Sequence, residues 1–371
     1  MTERLLKAKR VVIKIGSSLL VDQENGTLRR DWLDALADDV AACRKRGQDV
    51  LLVSSGAIAL GRRSLKLGAR SLRLEDSQAA AAAGQIRLAH AYQESLARHD
   101  VAVAQILLTG DDTERRRRYL NARNTLTALL AHGSIPVVNE NDTVATVEIR
   151  FGDNDRLAAR VAAMIGADCL VLLSDIDGLY SADPRQDDGA EFVGEVAEIT
   201  PAIEAMAGAT GSYDGSGGMV TKLQAARLAT QAGCAMVIAD GRAAHPISKL
   251  LDGGRGTWFT TAATPASARK RWIAASLHAR GSITIDQGAV QALGRGKSLL
   301  PAGVTDVEGD FQRGDAVVVR GPDGTALGRG LIAYSRVDAA RIKGHRSDRI
   351  QEILGFLGRE EMIHRDDLVL G

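Results

Sequence analysis

The chain has 371 residues, 45% of them hydrophobic and 25% charged, a composition that suits a large folded domain with a smaller companion. Lys plus Arg total 47 against 46 for Asp plus Glu, so no global charge excess points to nucleic acid, a membrane surface or an acidic partner. Cys43, Cys169 and Cys234 are odd in number and far apart, and no apolar run reaches membrane-spanning length. A disulfide framework, a paired-ligand zinc site and a membrane span are thereby disfavoured, and a cytoplasmic location is expected.

Short apolar runs begin at Val11 ("VVIKI"), Val50 ("VLLVS"), Val101 ("VAVAQILL"), Ile135 ("IPVVN"), Cys169 ("CLVLLS") and Ala235 ("AMVIA"). Helical patterns separate them, among them residues 31–46, closed by Gly47, and residues 76–98. Strands apolar on both faces and joined by helices predict an α/β fold, a three-layer sandwich with a mainly parallel sheet. The "ERRRRY" run at 114–119 reads as the solvated face of a helix. After Trp272 the texture changes: "GSITIDQGAV" and "GDAVVVRGPDGTALGRGLIAYS" read as short strands with a turn at 322–324, typical of a small β-rich module. The expected division is 1–262 and 276–371, with "TAATPASARKR" as a short linker.

In parallel sheets, ligands collect beyond the carboxyl ends of the strands. The unusual polar residues of this chain follow those ends. Lys14 lies inside an apolar strand and precedes Gly16, Ser17 and Ser18, where bare backbone can approach a phosphate and an interior ammonium needs an anionic partner. Ser54, Ser55 and Gly56 repeat the pattern, although a capped tight turn accounts for them equally well. Asn139, Glu140, Asn141 and Asp142 form one polar cluster, and Asp153, Asn154 and Asp155 a second. Two such clusters suit an ammonium group or the orienting of cationic side chains, where one alone would read as a turn. Ser174 and Asp175 end another strand beside a turn with Gly178 and Tyr180. The segment "GSGGMVTKLQ" from Gly215 matches neither the P-loop nor the dinucleotide pattern. It is a flexible loop feeding a helix N-terminus, where N–H groups, the helix dipole and Lys222 converge on an anion, with phosphate the natural candidate.

Taken in order, "VVIKIGSS", "VSSGAIALG", "LLT" with "YLNARNTL", "PVVNENDTVA", "FGDNDRLAA", "LLSDIDGLYSADPR" and "GGMVTKLQAA" resemble the amino acid kinase family along nearly the whole chain. The tail, with "SLLPAGV" and "GDAVVVR", resembles a PUA domain, a small β-barrel. The resemblance implies the amino acid kinase fold and ATP-dependent phosphorylation of the side-chain carboxylate of L-glutamate. The product would be L-glutamyl 5-phosphate, made in the first step of proline biosynthesis without a covalent enzyme intermediate. It further implies that Lys14 and Lys222 contact the transferring phosphoryl group while Asp155 holds both lysines. Ser55, Asp142 and Asn154 would bind glutamate. ATP would meet Lys14, Ser174, Asp175 and the loop formed by Ser216, Gly217, Gly218, Met219, Val220, Thr221 and Lys222, with Mg2+ offsetting charge. Ser216 stands where the family often has threonine, and it keeps the hydroxyl. Feedback inhibition by L-proline and a homo-oligomeric assembly, dimer or tetramer, complete the expectation.

Two other readings compete. A sibling kinase acting on aspartate, acetylglutamate, carbamate or a nucleoside monophosphate would share the phosphoryl site, but "NENDTVA" and the PUA-like tail favour glutamate. An RNA-binding protein acting through its tail is the alternative from another class. From Ser276 to Gly371 there are 13 Lys plus Arg and 13 Asp plus Glu, which leaves no net charge to neutralise phosphates. Only the local cluster of Arg336, Arg341, Lys343, Arg346 and Arg349 speaks for RNA.

Overall fold

Strand β1 (Arg10–Ile15) shows how the layers form, because successive side chains point to opposite faces of the sheet. Val11, Ile13 and Ile15 are buried in one apolar cluster with Trp32, Leu36, Leu88 and Tyr92, from the helices Arg30–Lys45 and Leu74–Ala97. Val12 is buried in a second cluster with Leu157, Val161, Leu223 and Ala226, from the helices Asn154–Ile165 and Met219–Gln231. Helices thus cover both faces. The computed structural model describes the chain apart from residues 1, 23, 69–71, 146–153, 209–217 and 277–278 and the side chains at 272 and 274–276.

The remaining strands of this unit are β2 (Asp49–Ser54), β3 (Val103–Leu108), β4 (Ile135–Glu140), β5 (Cys169–Ser174), the ribbon β6 (Leu179–Tyr180) with β7 (Phe192–Val193), then β8 (Glu195–Val196), β9 (Ala235–Asp240) and β10 (Gly256–Phe259). The large sheet runs β3-β4-β2-β1-β5-β9-β10-β8. Every pairing from β3 to β9 is parallel, and β10 is antiparallel to β9. Strand β1 lies at the centre, with β2 on one side and β5 on the other, so the chain reverses its direction of travel across the sheet there. Ligand crevices open at such switch points.

Glycine sets the approach of two helices beside that centre. A Cβ on Gly61 would lie 1.7 Å from the Ala80 carbonyl oxygen, and one on Gly84 would lie 1.8 Å from that of Ala57. Only glycine lets Ala57–Ser64 cross Leu74–Ala97 this closely. Gly56, which opens the first of these helices, has φ +103°, in the left-handed region that glycine alone enters freely.

The run at 114–119 spans two helices, Gly110–Glu114 and Arg116–Ala131, rather than one. Glu114, Arg115, Arg117 and Arg118 are exposed, and Arg116 is half-buried.

The chain divides into two compact units, Met1–Pro265 and Ala266–Gly371. Where a linker is expected there is a helix, Pro265–Ser276. Proline at its first position and the alanines and basic residues that follow suit a helix. In the second unit Ile273 is buried against Ala316 and Leu331, and Arg269 Nε donates to Asp367 Oδ1 at 3.0 Å. That unit's sheet contains β11 (Gly281–Ile285), β12 (Val304–Gly309), β13 (Ala316–Arg320), β14 (Ala326–Leu331) and β15 (Leu368–Leu370), in the order β12-β11-β13-β14-β15. The second half of "GSITIDQGAV" is helical instead of extended. Asp286 caps Gln287–Gly294 by accepting from the Ala289 N–H at 2.7 Å, which satisfies an otherwise unpaired donor.

Candidate active site

Lys14 occupies the β1 position whose side chain faces the helices Asn154–Ile165 and Met219–Gln231. It is 6% exposed, Lys222 is 5% exposed and Asp155 is 0% exposed. The Asp155 carboxylate takes one ammonium on each oxygen: Lys14 Nζ lies 2.5 Å from Oδ1 and Lys222 Nζ 3.1 Å from Oδ2. Asp155 belongs to the first turn of its helix, where the dipole favours a negative charge. Burial is the largest influence on the carboxyl and pushes its pKa up. The charges and hydrogen bonds of Lys14 and Lys222 together outweigh burial and hold it below its ordinary value, so the group stays ionised. Two ammonium groups around one carboxylate give the trio a net charge of +1. Such a centre is matched to an incoming anion.

Beside the trio lies a network of amides. Asn154 Nδ2 is within hydrogen-bond distance of the Ser54 carbonyl at 2.6 Å, Asn139 Oδ1 at 2.7 Å and Ser55 Oγ at 3.1 Å. One amide thus ties the ends of β2 and β4 to the start of the helix that carries Asp155. Asn139 Nδ2 in turn donates to Gln85 Oε1 at 2.8 Å, and Ser54 Oγ is 2.9 Å from the buried Tyr92 hydroxyl. Gln85 and Tyr92 come from Leu74–Ala97 and were not among the residues singled out from the sequence. The available signal was a glutamine on the otherwise apolar face of Ala80, Ala81, Gly84 and Leu88. Asp142 follows β4 and lines a cavity with Gln85, Glu140 and Thr143.

The ends of β5 and β9 form the other edge of the crevice. Ser174 pairs in register with Asp240. Its hydroxyl donates to Asp175 Oδ1 at 3.1 Å, and its carbonyl accepts from the Gly241 N–H at 2.8 Å. Gly218 caps the helix Met219–Gln231, and the Thr221 hydroxyl closes that turn on the Gly218 carbonyl at 2.7 Å. Met219 packs against the core while Val220 is exposed. Ser216, Gly217 and Asp153 lie outside the described residues.

Among the described residues, no group of three or more His, Cys, Asp or Glu is placed to hold a metal ion, and no helix is long and apolar enough to cross a membrane. The three cysteines are free and buried. Burial pushes the Cys43 thiol up to about 11 and the Cys169 thiol up to about 12, so neither is poised as a nucleophile.

Two buried ammonium groups on one carboxylate at the carboxyl end of a parallel strand suit an anion such as phosphate. Residues 9–240 match the amino acid kinase family and residues 281–354 the PUA domain. The chain is 61% identical to glutamate 5-kinase of Paramagnetospirillum magneticum over 99% of both proteins. It is 61% identical to glutamate 5-kinase of Rhodospirillum rubrum over 97% of this chain and 96% of that one. A carbamate kinase from Giardia lamblia bound to AMP-PNP matches with a TM-score of 0.50 and 17% identity, over 69% of this chain and 99% of that one, a likeness of fold alone. The chain belongs to the amino acid kinase family, with glutamate 5-kinases as its near relatives and a PUA domain following its kinase unit.

Proposed function

We propose that the chain transfers the γ-phosphoryl group of ATP to the side-chain carboxylate of L-glutamate, giving L-glutamyl 5-phosphate and ADP at the entry to proline biosynthesis. The observation that carries this reading is the buried Lys14–Asp155–Lys222 trio, one residue along the chain from the amide network of Asn154. A carboxylate oxygen attacks the γ-phosphorus, the bond to the bridging oxygen of the β-phosphate breaks, and ADP leaves with that electron pair. Two anions must approach each other, so the barrier is chiefly electrostatic. Lys14 and Lys222 offset that repulsion and the charge spread over the transferring group. Asp155 fixes both ammonium groups before substrate arrives, so little reorganisation remains at the moment of reaction.

In this reading Ser55, Asp142 and Asn154 bind glutamate. Ser174, Asp175 and the loop Ser216, Gly217, Gly218, Met219, Val220, Thr221 and Lys222 hold the nucleotide, with free N–H groups at the helix N-terminus facing phosphate. Mg2+ bound with the nucleotide would add positive charge against the transferring phosphoryl group, beside Lys14 and Lys222. Proline shares the α-ammonium and α-carboxylate of glutamate but lacks the reacting group, and it inhibits by competing near Asp142. A homo-oligomer in the cytoplasm completes the proposal.

Trapping of the labile acyl phosphate by hydroxylamine tests it, with glutamate, aspartate and acetylglutamate offered in parallel and proline added at rising glutamate. Glutamate-dependent hydroxamate, suppressed by proline in a glutamate-reversible way, is the expected outcome. Hydroxamate formed from aspartate or acetylglutamate in preference to glutamate would overturn the substrate assignment.

A further inference from the structure

Tyr92 puts a polar group inside an apolar cluster. It is buried with Ile13, Ile15 and Leu88 and is 1% exposed. Phenylalanine would fill that space equally, so what tyrosine adds is one hydroxyl, and a buried hydroxyl costs free energy unless it is bonded. Its partner is Ser54 Oγ at 2.9 Å. The direction of that bond follows from the next link. Ser54 has a single hydroxyl proton and gives it to the Ser55 carbonyl at 3.1 Å, so Tyr92 must be the donor. Burial pushes the Tyr92 pKa up, and the phenol therefore keeps its proton in the physiological range. Three further contacts meet at the same turn. The Ser54 carbonyl accepts from Asn154 Nδ2 at 2.6 Å, the Ser55 N–H donates to the Ile15 carbonyl at 3.2 Å, and Ser55 Oγ lies 3.1 Å from Asn154 Nδ2.

We propose that Tyr92 is a positioning residue for the substrate: its hydroxyl, acting through Ser54, fixes the turn that carries Ser55 and the carbonyl on which the Asn154 amide rests. Tyr92 itself lies in the core and meets no substrate. Without its hydroxyl, Ser54 Oγ loses the donor that holds it, and its own bond to the Ser55 carbonyl is no longer fixed in direction. The helix Leu74–Ala97 thereby sets the placement of two side chains from different elements, one in the turn after β2 and one in the first turn of Asn154–Ile165. Groups oriented in advance have less freedom to lose when the substrate binds. The inference rests on the glutamate reading above and adds to it a residue that acts on the site from inside the core.

Tyr92→Phe is the sharp variant, since it removes one oxygen and keeps the ring. In the hydroxylamine assay KM for glutamate should rise about three- to ten-fold, the usual effect of one hydrogen bond, with kcat and KM for ATP within about twofold of the unaltered protein. Ser54→Ala removes the relay and should raise KM for glutamate by a similar factor. The double variant should be no worse than either single one, because the two residues act in series. An unchanged KM for glutamate in Tyr92→Phe, even with a lowered Tm, would make the hydroxyl a structural contact alone and overturn the proposal. KM values for glutamate and ATP that rise together would overturn it as well, as would a double variant in which the two factors multiply. Should Ser54→Ala or the double variant fail to fold, Tyr92→Phe decides alone through the contrast between glutamate and ATP. Absence of any hydroxamate from glutamate with the unaltered protein would instead sink the parent reading.

Discussion

The interior of the first unit and the surface of the second use charge in opposite ways. Lys14, on the central strand of the large sheet, and Lys222, on a helix packed against that sheet, are buried and share the carboxylate of the buried Asp155. In the second unit Lys343 pairs with Asp306 at 2.8 Å, Arg349 with Glu352 at 3.1 Å and Arg346 with Asp348 at 3.7 Å, all at the surface. Exposed pairs of this kind are screened by water and salt and contribute little. Three of the five cations that spoke for RNA binding thus already face carboxylates. Withdrawing ammonium groups from water is costly, and a fold retains them inside where their field acts on something. Burial separates the two uses more sharply than any count of charges.

The comparison predicts a descending series of effects. Replacing the buried Lys14 with methionine should lower kcat about a hundred- to thousand-fold, the usual cost of losing a donor aimed at developing charge. Arginine should not restore it, since a planar fork cannot stand in for a compact point charge. Steady-state assays of both variants decide this, and near-normal turnover of Lys14→Met would contradict it.

Asp155→Asn comes next. It leaves two ammonium groups without the carboxylate between them, so stability should fall by about 3 kcal/mol, as when a buried pair is broken, and transfer should slow. The depressed pKa adds a pH dependence with a definite sign. An aspartate held below its unfolded value of about 3.8 contributes stability that is complete above that value and lost as the pH falls through the lower folded value. Denaturant unfolding of both proteins across the acid range should show this component of the loss in the wild type and its absence in Asp155→Asn. Parallel acid profiles would remove Asp155 from that role. The smallest effect belongs to the exposed pairs. Arg349→Ala should change neither turnover nor Tm measurably, and a clear drop in kcat would show that the second unit's surface serves the reaction.

Some of this was readable from residues alone. Lys14 stood out because an ammonium inside "VVIKI" conflicts with an apolar strand, and the resemblance of the surrounding motifs pointed to Asp155 and Lys222 as its companions. The parallel sheet followed from strands apolar on both faces. Gln85 was hidden for a physical reason: a glutamine is ordinary in a helix, and its burial depends on the glycine-mediated crossing at Gly61 and Gly84, a tertiary fact. The helix Pro265–Ser276 was hidden because its sequence suits a helix or a linker until Ile273 finds Ala316 and Leu331.

The central claim is that the buried lysines serve the chemical step beyond holding the nucleotide. The most direct measurement pairs steady-state kcat with calorimetric ATP affinity for folded Lys222→Met. An ammonium that meets the phosphoryl oxygens mainly as charge redistributes stabilises the transition state more than the bound ground state. The account predicts a kcat lowered about a hundred- to thousand-fold with Kd for ATP within about tenfold of the wild type. Abolished ATP binding with saturated turnover intact would contradict it and leave Lys222 as a nucleotide clamp.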